Sequence, residues 1–249
     1  MSDPRDPIFN FLRPHLKDGW NSPGLIEGFH DELDALGARS IDSVAPTPPI
    51  VSPAPAPPAG QSQGPLTSRV ALELVGHEAI VLEAYKDSEE VWTWGVGVTD
   101  ASGHAVGRYK DNPQTIRRAL EVYIWLLRER YIPSVLAAFA GRQLTEAQFA
   151  AALSFHYNTG AIRKAGWVRL WKEGNVAAAR AAIMEWRKPA EIIGRRTKER
   201  DLFFDGRWSA DGKALVIPVS KPSYKPNFRA AQRVDVSADL TALLGASNG

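Results

Sequence analysis

The chain has 249 residues, of which 44% are hydrophobic and 23% are charged. This composition is typical of soluble globular proteins, so it excludes wholesale disorder and predicts a sizeable core. The chain has no cysteine, which excludes disulfide scaffolds, Cys-ligated zinc, iron–sulfur clusters and thiol nucleophiles. The five histidines show no metal-ligand spacing, and we expect neither a metal nor a cofactor. The net charge of +2 conceals an uneven distribution of charge along the chain.

The first 42 residues form an acidic segment with eight acidic and four basic residues. Apolar residues recur at helical spacing twice, over residues 8–16 and 25–36. We therefore predict a small helical module over residues 1–42.

A proline-rich stretch follows, and eight of the 18 prolines lie between Pro46 and Pro65. Proline fixes φ and removes a backbone donor, so this stretch forms neither a helix nor a central strand. We predict an extended, semi-rigid linker over residues 43–67. The alternative is an ordered loop packed on the body.

Residues 68–204 carry 20 basic and 16 acidic residues and are predicted to be mostly helical with one short β region. Thr67 or Ser68 is placed to cap a first helix that runs to Ala79. Strands are predicted within residues 84–98, with a turn over Asp87–Glu90.

The rest of the body shows helical patterns and stop signals. A Thr145/Gln148 capping box precedes one helix, which Gly160 is expected to end. The other predicted helices cover residues 112–131, 177–186 and 192–204. A strand is predicted over residues 216–219, and residues 205–249 form a C-terminal extension of unassigned role.

Three polar side chains follow one another across the first helix end and the β region: Glu78, Asp87 and Thr93. Glycosidic cleavage needs one carboxyl that stays protonated for the leaving oxygen and one that stays ionised to orient water or attack. Apolar neighbours such as Ile80 and Leu82 are expected to raise the pKa of Glu78, and a water-exposed turn to keep the second carboxylate ionised. The spacing alone fits an ordinary helix end and turn equally well.

The pattern Glu78-x8-Asp87-x5-Thr93 resembles the catalytic Glu–Asp–Thr set of the phage-type lysozymes, glycoside hydrolase family 24. Tyr85-Lys86-Asp87 and residues 93–97 are similar to that family's aromatic-x-Asp and Thr-x-Gly-x-Gly segments. Residues 153–160 and 193–202 resemble two of its later helices. The four matches keep their order and span roughly half of the chain.

The resemblance implies an α+β, mostly helical, two-lobed lysozyme-like domain with a small β-hairpin lobe, in residues 68–204. It implies that Glu78 is the general acid, that Asp87 positions or activates the nucleophilic water, and that Thr93 holds that water. It also implies inversion at the anomeric carbon, for which the two carboxyls lie roughly 6.5–9.5 Å apart.

Four further residues are interpreted as substrate-binding: Trp94, Gly95, Gly97 and Asn158. The two glycines are expected to allow a close backbone approach to the sugar. Asn158 either faces the cleft and binds an N-acetyl group or backbone, or caps its own helix.

One position departs from the family pattern. Some members have a histidine after Gly-x-Gly, in a structural ion pair, and Val98 stands there in this chain. That pair is either absent or supplied by His77 or His104. Arg195 and Arg196 are interpreted as structural residues that pin the last predicted helix by ion pairs.

These features predict an endolysin, a muramidase that hydrolyses the β-1,4 bond between N-acetylmuramic acid and N-acetylglucosamine in peptidoglycan and so lyses the host cell. We expect a monomer with no nucleic-acid partner and no membrane insertion, since no apolar run approaches the roughly 18 residues of a span. The acidic module is hypothesised to bind cell wall. No signal-peptide pattern begins the chain, so we expect synthesis in the host cytoplasm and action in the periplasm or cell wall once a holin permeabilises the membrane.

Other functions on the same fold remain open at this point. One is a secreted antibacterial muramidase effector. Another is a non-catalytic wall-binding or virion structural protein. A third is an enzyme for a different polysaccharide, such as chitin.

Overall fold

The computed structural model describes residues 66–87, 90–188 and 190–245. The predicted helical module and residues 43–65 of the predicted linker lie outside this part. The last two linker residues belong to the folded body: Leu66 is buried in the main core, and the Thr67 hydroxyl accepts a hydrogen bond from the Val70 amide. The linker boundary predicted at residue 67 was therefore wrong, because Leu66 packs in an apolar core.

The first helix, α1, spans Ser68–Val75 and buries its apolar face in the main core. It ends at Gly76 and not at Ala79 as predicted. Ala79 already begins the first strand. Glu78 consequently lies in the turn between a helix and a strand, where its amide donates to the Val75 carbonyl at 3.1 Å.

Three strands form an antiparallel meander beyond this turn: β1 (Ala79–Lys86), β2 (Trp92–Gly95) and β3 (Val98–Thr99). The register slips within the first pair, because Val81 lies opposite Gly95 whereas Tyr85 lies opposite Thr93. The first strand thus carries two extra residues over this stretch, and such a bulge bends a strand. In a straight eight-residue strand the first and last Cα atoms would lie about 23 Å apart, so the bend brings the two ends closer together.

The helical lobe contains six helices among the described residues. They are α2 (Ile116–Leu126), α3 (Ile132–Ala138), α4 (Glu146–Thr159), α5 (Gly166–Lys172), α6 (Val176–Ala182) and α7 (Ile193–Asp205). A π-helical turn joins α2 to α3. The predicted Thr145/Gln148 capping box is present, and Gly160 ends α4 in the left-handed conformation with φ 65°. Neither α3 nor α5 was predicted from the sequence.

The C-terminal extension folds onto the β lobe. It forms β4 (Lys213–Val216), β5 (Val219–Ser220), β6 (Lys225–Pro226), β7 (Gln232–Asp235) and α8 (Ser237–Gly245). Strand β4 pairs in parallel with β1 and antiparallel with β7, which gives a five-stranded sheet in the order β3-β2-β1-β4-β7. The β lobe is thus larger than the predicted hairpin. The strand predicted over residues 216–219 includes only the last residue of β4 and the first residue of β5.

Strand β1 is buried on both faces because the extension covers one of them. Side chains alternate between the faces of a strand. Ile80 and Ala84 face the main core, whereas Ala79, Val81 and Tyr85 join a second apolar cluster with residues of the extension. The extension thereby supports the strand that connects Glu78 to Asp87.

Candidate active site

Glu78 is held by a buried arginine from the helical lobe. Its carboxylate accepts a hydrogen bond from Arg195 Nη1 at 2.5 Å, while 12% of the Glu78 side chain stays exposed. Arg195 is fully buried and also pairs with Glu199 at 2.9 Å, so one guanidinium serves two carboxylates. Glu78 is therefore fixed in position and still open to solvent on one side.

Burial controls the protonation of Glu78. Desolvation raises the pKa of its carboxyl, Arg195 and more weakly His77 act in the opposite direction, and the neighbouring Glu199 carboxylate adds to the rise. The net direction is upward because desolvation is the largest of these effects. A raised pKa keeps the carboxyl available as a proton donor, as a general acid requires.

Three tyrosines from distant segments surround the same carboxyl. Burial raises the pKa of Tyr123, Tyr131 and Tyr157, and the charge of Glu78 adds to the rise in each. Their rings contact one another in sequence, with Tyr157 in the middle. Aromatic side chains therefore form part of the poorly solvated surroundings that the sequence analysis expected for Glu78.

Asp87 and Thr93 are directly bonded to each other. The Thr93 hydroxyl donates to Asp87 Oδ2 at 3.2 Å, and the Val91 amide donates to Asp87 Oδ1 at 2.9 Å. Asp87 does lie in a turn, but the residue is only 8% exposed, so the expectation of a water-exposed position was wrong. The polar surroundings come from these protein donors, because the turn folds back on Val91.

Tyr85 links the two ends of β1. Its pKa is raised well above the usual value, first by burial and then by the charges of both Asp87 and Glu78. Both carboxyls therefore lie close enough to act on one buried hydroxyl. Thr93 joins this group through its hydrogen bond to Asp87.

The predicted substrate-binding residues on the hairpin differ in their exposure to solvent. Trp94 is fully buried, donates from Nε1 to the Leu82 carbonyl at 3.0 Å and stacks on Tyr109. Because the indole ring is packed in the main core, the assignment of Trp94 to substrate binding was wrong. Gly95 is also buried, whereas Gly97 is exposed.

Both glycines adopt positive φ, 62° at Gly95 and 68° at Gly97. A side chain at either position would strain this tight turn. Gly97 also lies beside Tyr157, whose hydroxyl would be 3.5 Å from an added Cβ and donates to the Val96 carbonyl. The turn is thus tied to one of the tyrosines around Glu78.

Asn158 connects to Glu78 through a chain of charged contacts. Its side-chain oxygen accepts from Arg196 Nη2 at 2.8 Å. Arg196 pairs with Glu199, and Glu199 pairs with Arg195, which binds Glu78. Ser154 also donates to Glu199, at 2.7 Å.

Sequence reasoning assigned the two arginines a structural role and missed the contact between Arg195 and Glu78. The spacing of Arg195 and Glu199 within one helix signals their mutual pair. No local signal marks the third partner, because Glu78 lies more than a hundred residues away, in the other lobe.

The histidine that some family members carry is replaced here by a different arrangement. Val98 is buried in the main core. His77, which follows the end of α1, lies 3.5 Å from Glu73 in a buried pair. His104 instead shares a hydrogen bond of 2.8 Å with the Tyr109 hydroxyl.

The described residues contain no group of three or more His, Cys, Asp and Glu side chains arranged for a metal ion. Each of their helices is too short or too polar to cross a membrane.

Comparison with known proteins places this site in a family. Residues 75–199 match the phage lysozyme family. This match includes Glu78, Asp87, Thr93 and Arg195, and it ends before the C-terminal extension. No curated protein matches the chain in sequence.

Solved structures with the same fold include an endolysin from the Escherichia coli O157:H7 phage FAHEc1. It is 23% identical, with a TM-score of 0.50 over 60% of this chain and 98% of that chain. A variant of P22 lysozyme is 25% identical with a TM-score of 0.47, over 55% of this chain and 97% of the other. The muramidase domain of SpmX from Asticaccaulis excentricus is 24% identical with a TM-score of 0.45, over 54% and 95% respectively.

Proposed function

The chain belongs to the phage lysozyme family, and we propose that it is an endolysin: a muramidase that cleaves the β-1,4 bond between N-acetylmuramic acid and N-acetylglucosamine. The observation that carries this proposal is the difference between the environments of two carboxyls. Glu78 is desolvated with a raised pKa, whereas Asp87 accepts hydrogen bonds from Thr93 and the Val91 amide. Separate environments for two carboxyls are what acid and base roles on one sugar require.

In the proposed reaction, protonated Glu78 donates its proton to the glycosidic oxygen as the bond to the anomeric carbon breaks. The resulting carboxylate is stabilised by Arg195, which is already in contact with it. Arg195 therefore favours the ionised Glu78 that remains after the proton transfer, whereas burial favours the protonated Glu78 that precedes it. The balance suits a group that must release and regain a proton in each cycle.

Asp87 accepts a proton from the attacking water, whose oxygen forms the new bond to the anomeric carbon. The Thr93 hydroxyl donates to Asp87 Oδ2, so its own oxygen remains able to accept from that water. We infer that the reaction inverts the anomeric configuration, since a water activated by Asp87 attacks the face opposite to Glu78.

The proposal also covers how the enzyme reaches the cell wall, lyses the host cell and uses its N-terminal module. A monomeric enzyme made in the host cytoplasm reaches the periplasm or cell wall after a holin opens the membrane. The basic body favours encounter with the carboxylates of peptidoglycan stem peptides. The acidic module, residues 1–42, adds binding to the cell wall.

Product analysis tests the reaction. Digestion of purified peptidoglycan is expected to yield new reducing ends on N-acetylmuramic acid, and reducing ends on N-acetylglucosamine would exclude a muramidase. Proton NMR during the first turnovers is expected to show the α-anomer before mutarotation. A β-anomer formed first would exclude inversion while leaving the muramidase assignment intact.

Deletion tests the wall-binding module. Removal of residues 1–60 is expected to reduce sedimentation with purified sacculi while the cleavage products stay the same. Unchanged sedimentation would refute a binding role for the module.

A further inference from the structure

The hairpin of the C-terminal extension, residues 219–226, lies against the turn that carries Asp87. Its two strands pair Val219 with Pro226 and Ser220 with Lys225. The Tyr224 carbonyl accepts a hydrogen bond from the Lys86 amide at 2.8 Å. The hairpin is thereby joined to the main chain of β1 one residue before Asp87, although it lies beyond the region that matches the family.

Lys225 holds the Asp87 turn from its other side. Its Nζ donates to the main-chain carbonyl of Asp87 at 2.8 Å and also pairs with the Glu90 carboxylate. The same Asp87 carbonyl accepts from the Glu90 amide at 3.2 Å, which closes the turn. One ammonium group therefore bonds to the first and the last residue of the turn.

Backbone strain is concentrated at this contact. Three non-glycine residues have positive φ among those described: Glu90 at 58°, Asp111 at 54° and Tyr224 at 56°. Glu90 is bonded to Lys225, Tyr224 precedes Lys225, and Asp111 accepts from the Tyr224 hydroxyl at 2.8 Å. Strained conformations persist where the surrounding contacts over-determine them, and they cluster at functional sites.

The stability gained from the Lys225–Glu90 ion pair does not by itself explain why Lys225 bonds to both Asp87 and Glu90. The Lys225 and Glu90 side chains are 42% and 58% exposed, and exposed pairs contribute little to stability. Glu90 already has a second lysine partner, Lys86, at 3.1 Å. Lys225, unlike Lys86, is also bonded to the Asp87 carbonyl, and this bond holds the peptide plane next to the Asp87 side chain.

We propose that Lys225 is a positioning residue for catalysis: it fixes the Asp87 turn so that the carboxylate is aimed at the attacking water. This proposal rests on the proposed function, in which Asp87 activates that water. A misplacement of about 1 Å in a catalytic group can lower the rate on the order of a hundredfold. Lys225 acts on the chemical step through Asp87 and does not contact the sugar.

The test compares Lys225→Ala and Lys225→Arg with Lys221→Ala in the full chain. Lys221 lies on the same hairpin and pairs with Glu83 and Asp111 instead of Asp87 and Glu90. The substrate is a set of soluble, uncross-linked glycan strands, so that kcat and KM are separable. Thermal unfolding by circular dichroism is recorded for every variant.

We expect Lys225→Ala to lower kcat about tenfold or more with KM within roughly twofold of the wild type. Lys225→Arg retains a cationic donor and is expected to recover most of kcat. Lys221→Ala is expected to leave kcat within about twofold. All variants are expected to unfold within a few degrees of the wild type.

Three results would overturn the proposal: an unchanged kcat in Lys225→Ala, a rise in KM alone, or an equal loss in Lys221→Ala. The second would indicate binding of substrate carboxylates by the lysine. If Lys225→Ala does not fold, Lys225→Met keeps the aliphatic stem and is judged by the same outcomes. Asp87→Asn distinguishes failure of the proposed site from failure of the positioning role. Full activity of Asp87→Asn refutes the proposed site. Loss of activity in Asp87→Asn together with a wild-type kcat in Lys225→Ala refutes only the positioning role.

Discussion

Replacing Glu73 with glutamine tests how the C-terminal extension is attached to the catalytic body. Glu73 is a helix residue only 1% exposed. Its carboxylate accepts from the Ser209 hydroxyl at 2.6 Å and from the Ser209 and Ala210 amides at 3.0 and 2.9 Å, and His77 lies 3.5 Å away. Two amides and a hydroxyl at the start of the extension thus depend on one buried charge.

The size of the effect follows from the pKa of Glu73. Burial alone would raise it, but the hydrogen bond and charge of His77 and the donors of Ser209 and Ala210 outweigh burial and lower it from 4.5 to about 2. Each tenfold change in proton affinity is worth about 1.4 kcal/mol, so the ionised carboxylate contributes roughly 3 kcal/mol to folding. Because the folded pKa is depressed, this contribution is complete above about pH 4.5 and is lost as the pH falls toward 2.

The assay is denaturant unfolding of the wild type and Glu73→Gln from neutral pH down to about pH 2. The variant is expected to be less stable by roughly 3 kcal/mol at neutral pH, with the difference shrinking between about pH 4.5 and 2. Glu173→Gln is the matched control, since Glu173 forms an exposed pair with Arg169 and is expected to cost less than about 1 kcal/mol. A difference that does not change with pH, or that is no larger than the control's, would refute this reasoning.

Three further outcomes are expected at the site. Thr93→Val removes the donor to Asp87 Oδ2 and is expected to lower kcat at least tenfold, with Thr93→Ser recovering most of it; wild-type kcat in the valine variant would contradict the role of the hydroxyl. The raised pKa of Glu78 keeps the acid protonated above its usual range, so the basic limb of the kcat/KM profile is expected above pH 4.5; a basic limb at or below pH 4.5 would show that Glu78 is not the acid. Arg195→Met leaves Glu78 and Glu199 without their shared cation and is expected to cost about 3–5 kcal/mol of unfolding free energy; a loss below about 1 kcal/mol would show that the buried pair contributes little.

Local features were predictable because their causes are local. The capping box at Thr145 and the stop at Gly160 depend on hydrogen bonds within a few residues, and both are present. The order Glu78, Asp87, Thr93 was recognisable because the three residues lie within one helix-to-hairpin segment. The bend that brings the ends of this segment together comes from a two-residue slip in β1, which has no signature in the apolar pattern of that strand.

The error at Trp94 had a signal that was available. Side chains alternate across a strand, so a Thr93 that faces Asp87 directs Trp94 to the opposite face, which is the core. Gly76 likewise marked the end of the first helix before Glu78.

The contacts across the chain could not be predicted from spacing. Glu73 with Ser209, Glu78 with Arg195 and the parallel pairing of β1 with β4 each join segments more than a hundred residues apart. The strands of the extension are two to four residues long, too short to show a periodic pattern. Strand β4 pairs with the edge of β1, and apolar residues of the extension pack on one face of that strand.

The most direct test of the central claim is lysis of outer-membrane-permeabilised cells by Glu78→Gln. The amide keeps the shape of the side chain and can still accept from Arg195, but it has no acidic proton to give to the glycosidic oxygen. The rate of turbidity decrease is expected to be lower than that of the wild type by a factor on the order of a hundred or more. The circular dichroism spectrum is expected to be unchanged. Wild-type lysis by this variant would show that Glu78 is not the general acid and would contradict the account.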